Sequence, residues 1–376
     1  MNIILKGQLG FMNQFFEVVG ITSPDEKHFV ACGEREGIRM IPVPMQRTIS
    51  PLKDLVALWH LFWIFKREKP SIVHTHTPKA GLLGLLAAKL ANVPIKMHTV
   101  GGMPLTEVHG AKKKLLILME GLTYACADRV YPNSFGLNEI ILKHKLCSKA
   151  KLKVLANGSS NGVNTEYFSP FIYSDTPQYL EGLRNVLGIA AEDFVFLFVG
   201  RLAKDKGIVE LVEAFKRVYQ EHTHAKLLLI GPYEQSNSIL PENTRNEISN
   251  HPAIMAPGRF DDVRPYYALS QVYVFPSYRE GFPNSLMEAG AMGLPIIASD
   301  INGCNEIVEH NKNGLLISPK SINSLFDAMI ECLENEEFLK HLKGQSRKFI
   351  LDNFRNKVVW DELYKEYQTN LKPFNQ

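Results

Sequence analysis

The stretch VYVFPSYREGFPNSLMEAGAMGLPIIA, residues 272–298, contains the pattern that decides the fold. It begins with an apolar, β-rich run at 272–275, continues through a polar loop and a helical segment, and ends in a second apolar run at 295–298. Two short strands joined by a helix form the βαβ unit, from which parallel sheets are built. The stretch therefore predicts an α/β fold with a doubly wound parallel sheet.

The same alternation of strands and helices extends along most of the chain. Prolines and glycines interrupt it between two β/α blocks and predict a linker at 171–188, between domains at 1–170 and 189–350. A C-terminal helix is predicted at 351–376. Both blocks are expected to be Rossmann-like. The predicted strands lie at residues 17–21, 71–74, 95–100, 129–132, 194–199, 226–230, 272–275 and 295–298.

The chain has 376 residues, of which 45% are hydrophobic and 22% are charged. This length and composition favour two domains with cores of their own, and they exclude a disordered, collagen-like or small disulfide-rich protein. The five cysteines are scattered and form no C-x-x-C pair, so the sequence predicts neither a zinc site nor a disulfide framework. A reducing cytoplasm fits this cysteine usage best.

Charge is unevenly distributed, although the net formal charge is only +3. Residues 1–170 carry 21 basic and 12 acidic side chains, whereas residues 171–376 carry 21 basic and 27 acidic ones. No RNA- or DNA-binding motif accompanies the basic half, so no nucleic-acid partner is expected. The amino terminus lacks the features of a secretory signal, and no apolar run reaches the roughly 18 to 20 residues that a membrane span needs.

Two helical segments of the basic half combine apolar and basic residues. Residues 52–69 include Trp59, Trp63 and Phe65 among lysines and an arginine, and residues 111–127 contain three consecutive lysines. Amphipathic helices of this kind can lie on anionic lipid. The sequence therefore suggests peripheral contact with a membrane; the alternative is that both helices pack onto a sheet.

The loop that follows the predicted strand 194–199 is rich in cations. It reads GRLAKDKG, residues 200–207, and leads into a helical segment. Gly200 permits a tight turn, and Arg201 and Lys206 would lie near a helix amino terminus, where anions are favoured. This arrangement suits a diphosphate. The alternative is an ordinary basic turn with solvated charges.

The loop in the opening stretch is the second candidate for ligand binding. Asn284 or Ser285 is predicted to cap the following helix, whose free backbone N–H groups would bind phosphate oxygens. Glu280 would lie at the mouth of this loop. Glu288 would lie about one turn into the helix, where its carboxylate would accept hydrogen bonds from two vicinal hydroxyls, such as those of a ribose. The alternative for a lone glutamate is a surface carboxylate.

These motifs resemble those of a known family. GRLAKDKG, the stretch PSYREGFPNSLMEAGAMGLPIIASDINGCNEIV (276–308) and NGLLI resemble the retaining glycosyltransferases of family 4, which have the GT-B fold. Glu280 and Glu288 match the E-x7-E pattern of that family. The first half resembles members from bacterial capsule and O-antigen clusters, through IVHTHTPKAG (72–81), ADRVYPNS (127–134) and VLANGSSNGVNTEYF (154–168).

The resemblance implies a fold and an activity. The fold would be two Rossmann-like domains facing each other across a cleft, the first binding the acceptor and the second the nucleotide sugar, with a C-terminal helix crossing back to the first. The activity would be retaining transfer of a hexose or N-acetylhexosamine from a UDP-sugar to an undecaprenyl-diphosphate-linked saccharide, and it would be metal-independent. The pathway would be capsule or O-antigen synthesis, at the cytoplasmic face of the inner membrane. The UDP-sugar is a substrate, so no cofactor is expected. Two alternatives stay open: a UDP-sugar 2-epimerase of GT-B fold, and a catalytically inactive nucleotide-sugar-binding subunit.

Family roles carry over to individual positions. Arg201 and Lys206 would hold the diphosphate and offset leaving-group charge. Glu280 would contact the donor sugar near its reacting face, and all three residues would be catalytic. Glu288 would bind the ribose. Further nucleotide-sugar-binding residues expected from the same motifs are Gly281, Phe282, Pro283, Asn284, Ser285 and Leu286, together with Arg259, Phe260 and Gly231 around the uracil base.

The sequence is consistent with chemistry that needs no bound metal. No D-x-D sequence occurs, so no such carboxylate pair could hold Mg²⁺ on the phosphates, and fixed cations and helix dipoles would take that role. The resemblance implies attack from the same face as the leaving group, with the departing phosphate taking the acceptor proton. The alternative is a covalent intermediate on Glu280.

Three residues of the first half are expected on the acceptor side. His76 and Lys79 follow the predicted strand 71–74, although a structural role is the alternative for a histidine there. Many family members have a histidine after the next strand, in a T-V-H-G sequence in which this chain has Gly101. His98 is the candidate substitute.

The amino terminus departs from the family pattern, in which a strand and a glycine-rich loop precede a helix like the one predicted at 5–15. Either residues 1–5 form a shortened first strand, with Gly7 and Gly10 in its loop, or the opening strand is missing. Loss of a central strand would weaken the acceptor domain.

Overall fold

The computed structural model describes residues 4–46, 50–103, 110–236 and 238–374. Two compact units are formed, one by Met1–Gly162 with Asn356–Gln376 and one by Val163–Arg355. The strands are β1 (Val19–Thr22), β2 (Arg39–Pro42), β3 (Ile72–Thr75), β4 (Ile95–Val100), β5 (Arg129–Pro132), β6 (Phe194–Val199), β7 (Ala225–Ile230), β8 (Ile254–Gly258), β9 (Val272–Phe275), β10 (Ile296–Ser299) and β11 (Gly314–Ile317). The helices are α1 (Gln8–Met12), α2 (Glu26–Glu36), α3 (Pro51–Glu68), α4 (Pro78–Leu90), α5 (Gly110–Cys126), α6 (Phe135–Lys143), α7 (Pro177–Leu187), α8 (Ile208–Glu221), α9 (Glu242–Asn250), α10 (Arg264–Leu269), α11 (Asn284–Ala291), α12 (Ile322–Glu334), α13 (Glu336–Asn353) and α14 (Asn356–Leu371).

The second unit is built on a parallel sheet with the strand order β11-β10-β9-β6-β7-β8. Its first strand in sequence, β6, is central, and residues 195–198 of this strand are fully buried. A strand covered by helices on both faces is a continuous apolar run, which is why the sequence FVFLFV marks it clearly. This is the strand order of a Rossmann fold, with the direction of winding reversed between β6 and β9.

The first unit contains two parallel sheets in its described part, β1-β2 and β3-β4-β5. Helix α14 belongs to this unit although it comes from the end of the chain, and it packs against α1. Trp360 of α14 donates a hydrogen bond from Nε1 to Oδ1 of Asn161 at 2.7 Å, and its ring centroid lies 5.4 Å from that of Phe11. The end of the chain therefore completes the core of the first unit.

All eight predicted strands are confirmed, each within two residues of its predicted bounds. The prediction missed β2, β8 and β11, which are the outer strands of their sheets. Residues of β2 and β8 are mostly half-buried or exposed. An outer strand has one open side, so its apolar signal in the sequence is weaker than that of a central strand.

The unit boundaries differ from the predicted ones. The segment predicted as a linker, 171–188, contains α7 and lies inside the second unit. Pro177 stands at the start of α7 and Gly188, with φ of 68°, follows its last residue. Proline at the first turn and glycine after the last are typical helix ends, so residue types that suggested a linker mark a helix instead. The chain leaves the first unit at 162–163, not at 170, and returns to it at 355–356.

The amino-terminal prediction falls partly outside the described residues, because residues 1–3 are not described. Residues 4–7 form a turn that leads into α1, and no strand precedes β1 in the described part of the chain. Among the helices that the structure describes, none is long and apolar enough to cross a membrane.

Candidate functional site

The loops after β6 and β9 lie at the point where the winding of the second sheet reverses. Their strands are neighbours in the sheet and parallel, so both loops emerge at the same edge. Ligands of open α/β sheets bind outside the carboxyl ends of the strands, in the crevice at such a reversal. These loops, residues 200–207 and 276–283, are the two that the sequence predicted for a diphosphate and a sugar.

Backbone contacts fix the two loops against each other. Gly207 has φ of 71°, and a Cβ atom at this position would lie 2.0 Å from the carbonyl oxygen of Pro276. Any other residue would therefore force the loops apart. The N–H of Tyr278 donates to the carbonyl of Asp205 at 2.9 Å. The side chains that these loops carry are thus held at defined positions.

Lys206 and Glu280 meet at the centre of this arrangement. The ammonium of Lys206 forms an ion pair with Oε1 of Glu280, and the two side chains are only 17% and 14% exposed. The hydroxyl of Ser277, fully buried, lies 2.9 Å from the same carboxylate oxygen and can donate to it. A partly shielded charge pair is screened less by salt than a surface pair. The site therefore contains a fixed cation beside a fixed carboxylate.

Arg201, the other predicted cation, lies on the loop after β6 and is paired with Glu234. Its guanidinium also lies 4.0 Å from the carboxylate of Asp205. The side chain is 48% exposed, so it retains more freedom to move than Lys206. The structure thus brings Lys206 and Glu280 together, whereas Arg201 has acidic partners of its own.

The amino terminus of α11 follows the second loop directly. The prediction that Asn284 or Ser285 caps this helix is wrong, because α11 begins at Asn284 and the capping position is occupied by Pro283, which makes no side-chain capping bond. Proline fixes the backbone there without using a side-chain acceptor. Phe282 and Leu286 point into the core. Only main-chain groups of these two residues are therefore suited to face a ligand.

Glu288 lies on the first turns of α11 and is half-buried. The hydroxyl of the buried Tyr267 lies 3.2 Å from its Oε2 and 3.4 Å from the carbonyl of Ser285. Burial raises the pKa of Tyr267 well above its usual value, so the phenol stays protonated and donates to the carboxylate. This contact could not be predicted from local patterns, because Tyr267 lies on a different helix, α10.

The predicted base-binding residues lie at the same edge of the sheet. Gly231, directly after β7, donates its N–H to the carbonyl of Gly258 at 2.8 Å, and a Cβ at Gly231 would lie 1.8 Å from the carbonyl of Gly200. Arg259 and Phe260 follow β8 and are exposed, with the Phe260 ring 4.8 Å from that of Tyr266. The loops after β6, β7 and β8 are thus joined by close backbone contacts.

In the first unit, the predicted acceptor-side residues are less accessible than expected. His98 is 1% exposed, and its Nδ1 lies 2.8 Å from the hydroxyl of Thr75. Lys79 forms a 2.5 Å ion pair with Asp54. Nδ1 of His76 is buried and has no hydrogen-bond partner among the described residues, and the ring stacks on that of His74 at 4.3 Å. His98, the candidate substitute for the family histidine, is enclosed by tight packing beneath α4.

Burial also sets the protonation of these histidines. It lowers the pKa of His76 to about 3 and that of His98 to about 4. It lowers the pKa of His74 as well, and His74 contacts the hydroxyls of Tyr367 and Thr99 at 2.7 and 2.8 Å. All three rings are therefore neutral at pH 7. Among the described residues, no group of three or more His, Cys, Asp or Glu side chains is arranged to hold a metal ion.

The chain is similar to known proteins over both units. Residues 193–335 match the family model described as "Glycosyl transferases group 1", and residues 11–158 match "Glycosyl transferase 4-like domain". A capsular polysaccharide biosynthesis glycosyltransferase from Staphylococcus aureus is 34% identical over 370 residues, which cover 98% of this chain and 94% of that relative. This chain belongs to the family 4 glycosyltransferases.

This glycosyltransferase is also similar to a second relative and to a solved structure. A UDP-Gal:alpha-D-GlcNAc-diphosphoundecaprenol alpha-1,3-galactosyltransferase from Escherichia coli is 31% identical over 328 residues, covering 86% of this chain and 80% of the relative. The crystal structure of HepE from Anabaena in complex with UDP and glucose matches with a TM-score of 0.80 at 18% identity, covering 96% of this chain and 94% of that one. At that identity the match shows the fold alone, which is GT-B. The predictions of the family, the fold and glycosyltransferase activity are confirmed.

Proposed function

We propose that this glycosyltransferase moves a hexose or N-acetylhexosamine from a UDP-sugar to a hydroxyl group, with retention of anomeric configuration and without a bound metal ion. The observation that carries the proposal is the ion pair of Lys206 and Glu280 at the reversal point of the second sheet, beside the amino terminus of α11. Developing negative charge on a departing diphosphate needs fixed positive groups, and Lys206 and the helix end supply them there.

Each group of binding residues contacts one part of the donor. Lys206 and Arg201 hold the diphosphate, with the main-chain N–H groups at the start of α11. Glu288, oriented by Tyr267, accepts hydrogen bonds from the ribose hydroxyls. The uracil lies against Phe260 and the main chain near Gly231, with Arg259 beside it and Gly281 and Pro283 beside the sugar. The donor is a substrate, and no cofactor takes part.

The chemical step needs one proton transfer. The bond from the anomeric carbon to the β-phosphate oxygen breaks, and the acceptor oxygen attacks that carbon from the same face. The acceptor proton passes to the departing phosphate oxygen, so UDP leaves with the proton. Glu280 contacts the sugar and stabilises positive charge at the anomeric carbon, while Lys206 shifts from Glu280 toward the phosphate. The diphosphate thus competes with Glu280 for the same cation.

The acceptor is a saccharide linked to undecaprenyl diphosphate, and the pathway is synthesis of a capsular or O-antigen polysaccharide. Two relatives support this choice, since one is a capsular polysaccharide biosynthesis enzyme and the other is named for a diphosphoundecaprenol acceptor. Residues after β3 in the first unit, His76 and Lys79, serve the acceptor side. His98 acts there only by packing, because it is buried.

The proposal is tested with a panel of UDP-sugars and short saccharides on lipid diphosphates, followed by mass spectrometry of the products. One donor and acceptor pair is expected to give a product heavier by one sugar, together with one UDP. Release of free sugar from a UDP-sugar without acceptor would instead indicate a 2-epimerase. Equal UDP release by the wild type and a Lys206→Ala, Glu280→Ala double variant would indicate an inactive binding subunit.

The role of Glu280 is tested separately by a search for a covalent intermediate. Intact-protein mass spectrometry after incubation with donor alone is expected to show no added sugar. A sugar ester on Glu280 would show instead that the glutamate is a nucleophile and that retention comes from two successive displacements.

We further propose that the enzyme binds the cytoplasmic face of the inner membrane through α3. Leu52, Leu55, Val56, Trp59 and Trp63 are all exposed, and the last four lie three, four, seven and eleven residues after Leu52, which places all five on one face of the helix. The exposed cations Lys53, Lys66 and Arg67 flank this face. An exposed apolar stripe with flanking cations suits anionic lipid.

Membrane binding is measured by co-sedimentation with vesicles that contain anionic lipid. The Trp59→Ser, Trp63→Ser variant is expected to lose most of the binding, while unfolding at the same temperature as the wild type. A matched control is Trp360→Phe on α14, which should leave sedimentation unchanged. Equal binding by the wild type and the double variant would contradict the proposed surface.

A further inference from the structure

The loop after β10 lies directly against the loop that carries Glu280. Strand β10 pairs in parallel with β9, so the loops that follow them emerge at the same edge of the second sheet. The side-chain amide of Asn302 donates from Nδ2 to the carbonyl oxygens of Glu280 and Gly281, at 3.2 and 3.3 Å. One NH₂ group carries two donors, so it can satisfy both carbonyls at once. A single side chain of the loop after β10 thus holds two consecutive carbonyl groups of the loop after β9.

The backbone of the loop after β10 makes a second close contact with the same segment. Gly303 has φ of 78°, and a Cβ atom at this position would lie 2.2 Å from the carbonyl oxygen of Gly281. Only glycine permits this approach without displacing the facing backbone. The next residue, Cys304, is fully buried, and burial together with the nearby carboxylate of Glu280 raises the pKa of its thiol. The two loops are therefore packed together where Glu280 stands.

The loop after β10 is held in shape by hydrogen bonds of its own. The N–H groups of Cys304 and Asn305 both donate to the carbonyl of Ile301 at 3.1 Å. The side chain of Asn305 donates from Nδ2 to Oδ1 of Asp300 at 2.9 Å. Asn302 is half-buried between these residues. Its amide therefore projects from a defined turn and keeps a fixed position against the neighbouring loop.

The two carbonyl contacts also decide where the neighbouring N–H groups point. A peptide group is planar and trans, so its C=O and N–H point in opposite directions. Because the carbonyls of Glu280 and Gly281 face Asn302, the N–H groups in the same two peptide planes point away from it. These are the N–H groups of Gly281 and Phe282, and neither has a hydrogen-bond partner among the residues that the structure describes. In the strand order β10-β9-β6, the side away from β10 is the side of Lys206.

We propose that Asn302 is a positioning residue for the donor sugar, which turns the N–H groups of Gly281 and Phe282 toward the sugar and fixes the main chain of Glu280. The inference rests on the proposed function, in which Glu280 contacts that sugar. Two consecutive N–H groups suit hydroxyl oxygens of a hexose, because each hydroxyl can accept a hydrogen bond. In the proposed function the diphosphate is held by Lys206 and the start of α11. Loss of the Asn302 amide should therefore affect use of the sugar and leave binding of UDP intact.

The variant Asn302→Leu tests this proposal, because leucine is similar in size to asparagine and cannot donate a hydrogen bond. Asn305→Leu is the matched control, since Asn305 lies in the same turn and its amide donates to Asp300 and not to the loop after β9. Asn302→Ala is a second variant that removes the amide without adding apolar bulk. The donor is the UDP-sugar that the wild type transfers in the panel described above. Steady-state kinetics, calorimetric titration with UDP and thermal unfolding are measured for each protein.

The expected result is a kcat about tenfold lower in both Asn302 variants, with a Kd for UDP within about twofold of the wild type. Asn305→Leu should retain both constants. An unchanged kcat in the two Asn302 variants would overturn the inference. Equal losses of kcat and of UDP affinity would also overturn it, since they would indicate a general structural role; if Asn302→Leu fails to fold, Asn302→Ala decides.

Failure of the inference can be told apart from failure of the proposed function. A wild type that transfers sugar, beside Asn302 variants with the same kcat, would overturn the inference alone. A wild type that binds neither UDP nor any UDP-sugar would overturn the proposed function and this inference with it.

Discussion

The ammonium of Lys206 is ion-paired with the carboxylate of Glu280, across 74 positions of sequence and between the loops of two neighbouring parallel strands. The contact is possible because Gly207 lets the first loop touch the backbone of Pro276. Before a donor binds, each charge neutralises the other in a partly shielded site. In the mechanism that we propose, binding of a diphosphate would release the carboxylate toward the sugar. The pair would then couple donor binding to preparation of the reacting face.

Replacement of Lys206 by alanine is expected to lower kcat by about 10²- to 10³-fold, because one fixed cation at the leaving group is lost. UDP affinity should fall at the same time. Lys204→Ala is the matched control, since Lys204 is an exposed lysine of the same loop. Steady-state kinetics and calorimetric titration with UDP measure both effects. Comparable losses in the two variants would show that the loop attracts the donor only through its general charge.

Ser277→Ala is expected to lower kcat about five- to tenfold, because loss of a hydrogen bond worth about 1 kcal/mol leaves Glu280 less well oriented. The KM for the donor should change little. Ser299→Ala is the control: Ser299 is equally buried at the end of the neighbouring strand β10, and its hydroxyl has no hydrogen-bond partner in the part of the chain that the structure describes. A Ser277→Thr variant retains the hydroxyl and should recover activity. An unchanged kcat in Ser277→Ala would contradict the prediction that Ser277 orients Glu280.

Tyr267→Phe is expected to raise the KM for the UDP-sugar roughly tenfold at nearly constant kcat, since the phenol supports Glu288, for which we propose binding of the ribose and not of the reacting group. Tyr266→Phe, at the next position of α10, is the control with the same change in chemistry. Kinetics with donor at varied concentration separate the two constants. If kcat fell while KM stayed constant, Glu288 would act in the chemical step instead.

The buried His98 makes the stability of the first unit depend on pH. Its pKa is about 4 in the folded chain, below the value of about 6.5 expected when unfolded, so the unfolded chain binds more protons between these values. Stability is therefore highest above about pH 6.5 and falls as the pH decreases toward 4, by on the order of 1 kcal/mol per pH unit for this group. Urea unfolding at pH 7 and pH 5 should show a smaller difference for His98→Gln than for the wild type. The same difference in both proteins would mean that His98 is not kept neutral by folding.

Much of the candidate site could be predicted because its signals are local in sequence. Arg201, Lys206, Glu280 and Glu288 lie on loops or helix starts directly after apolar strands, and the strand order confirms that these loops share one edge. The supporting residues could not be predicted in this way. Ser277 and Tyr267 look like ordinary residues of a loop and a short helix, and only their contacts in space give them a role.

The sequence by itself determined the α/β class, the eight most strongly patterned strands and the charged and glycine-containing character of the loops at 200–207 and 276–283. Periodicity and short motifs depend on residues that are near each other in the sequence, so they can be recognised without knowledge of the fold. Only the tertiary structure decided that Pro283 rather than Asn284 precedes α11, that His98 is enclosed, and that Asn302 contacts the loop after β9. These features depend on which distant segments pack together, and burial and pairing between such segments leave no local pattern in the chain.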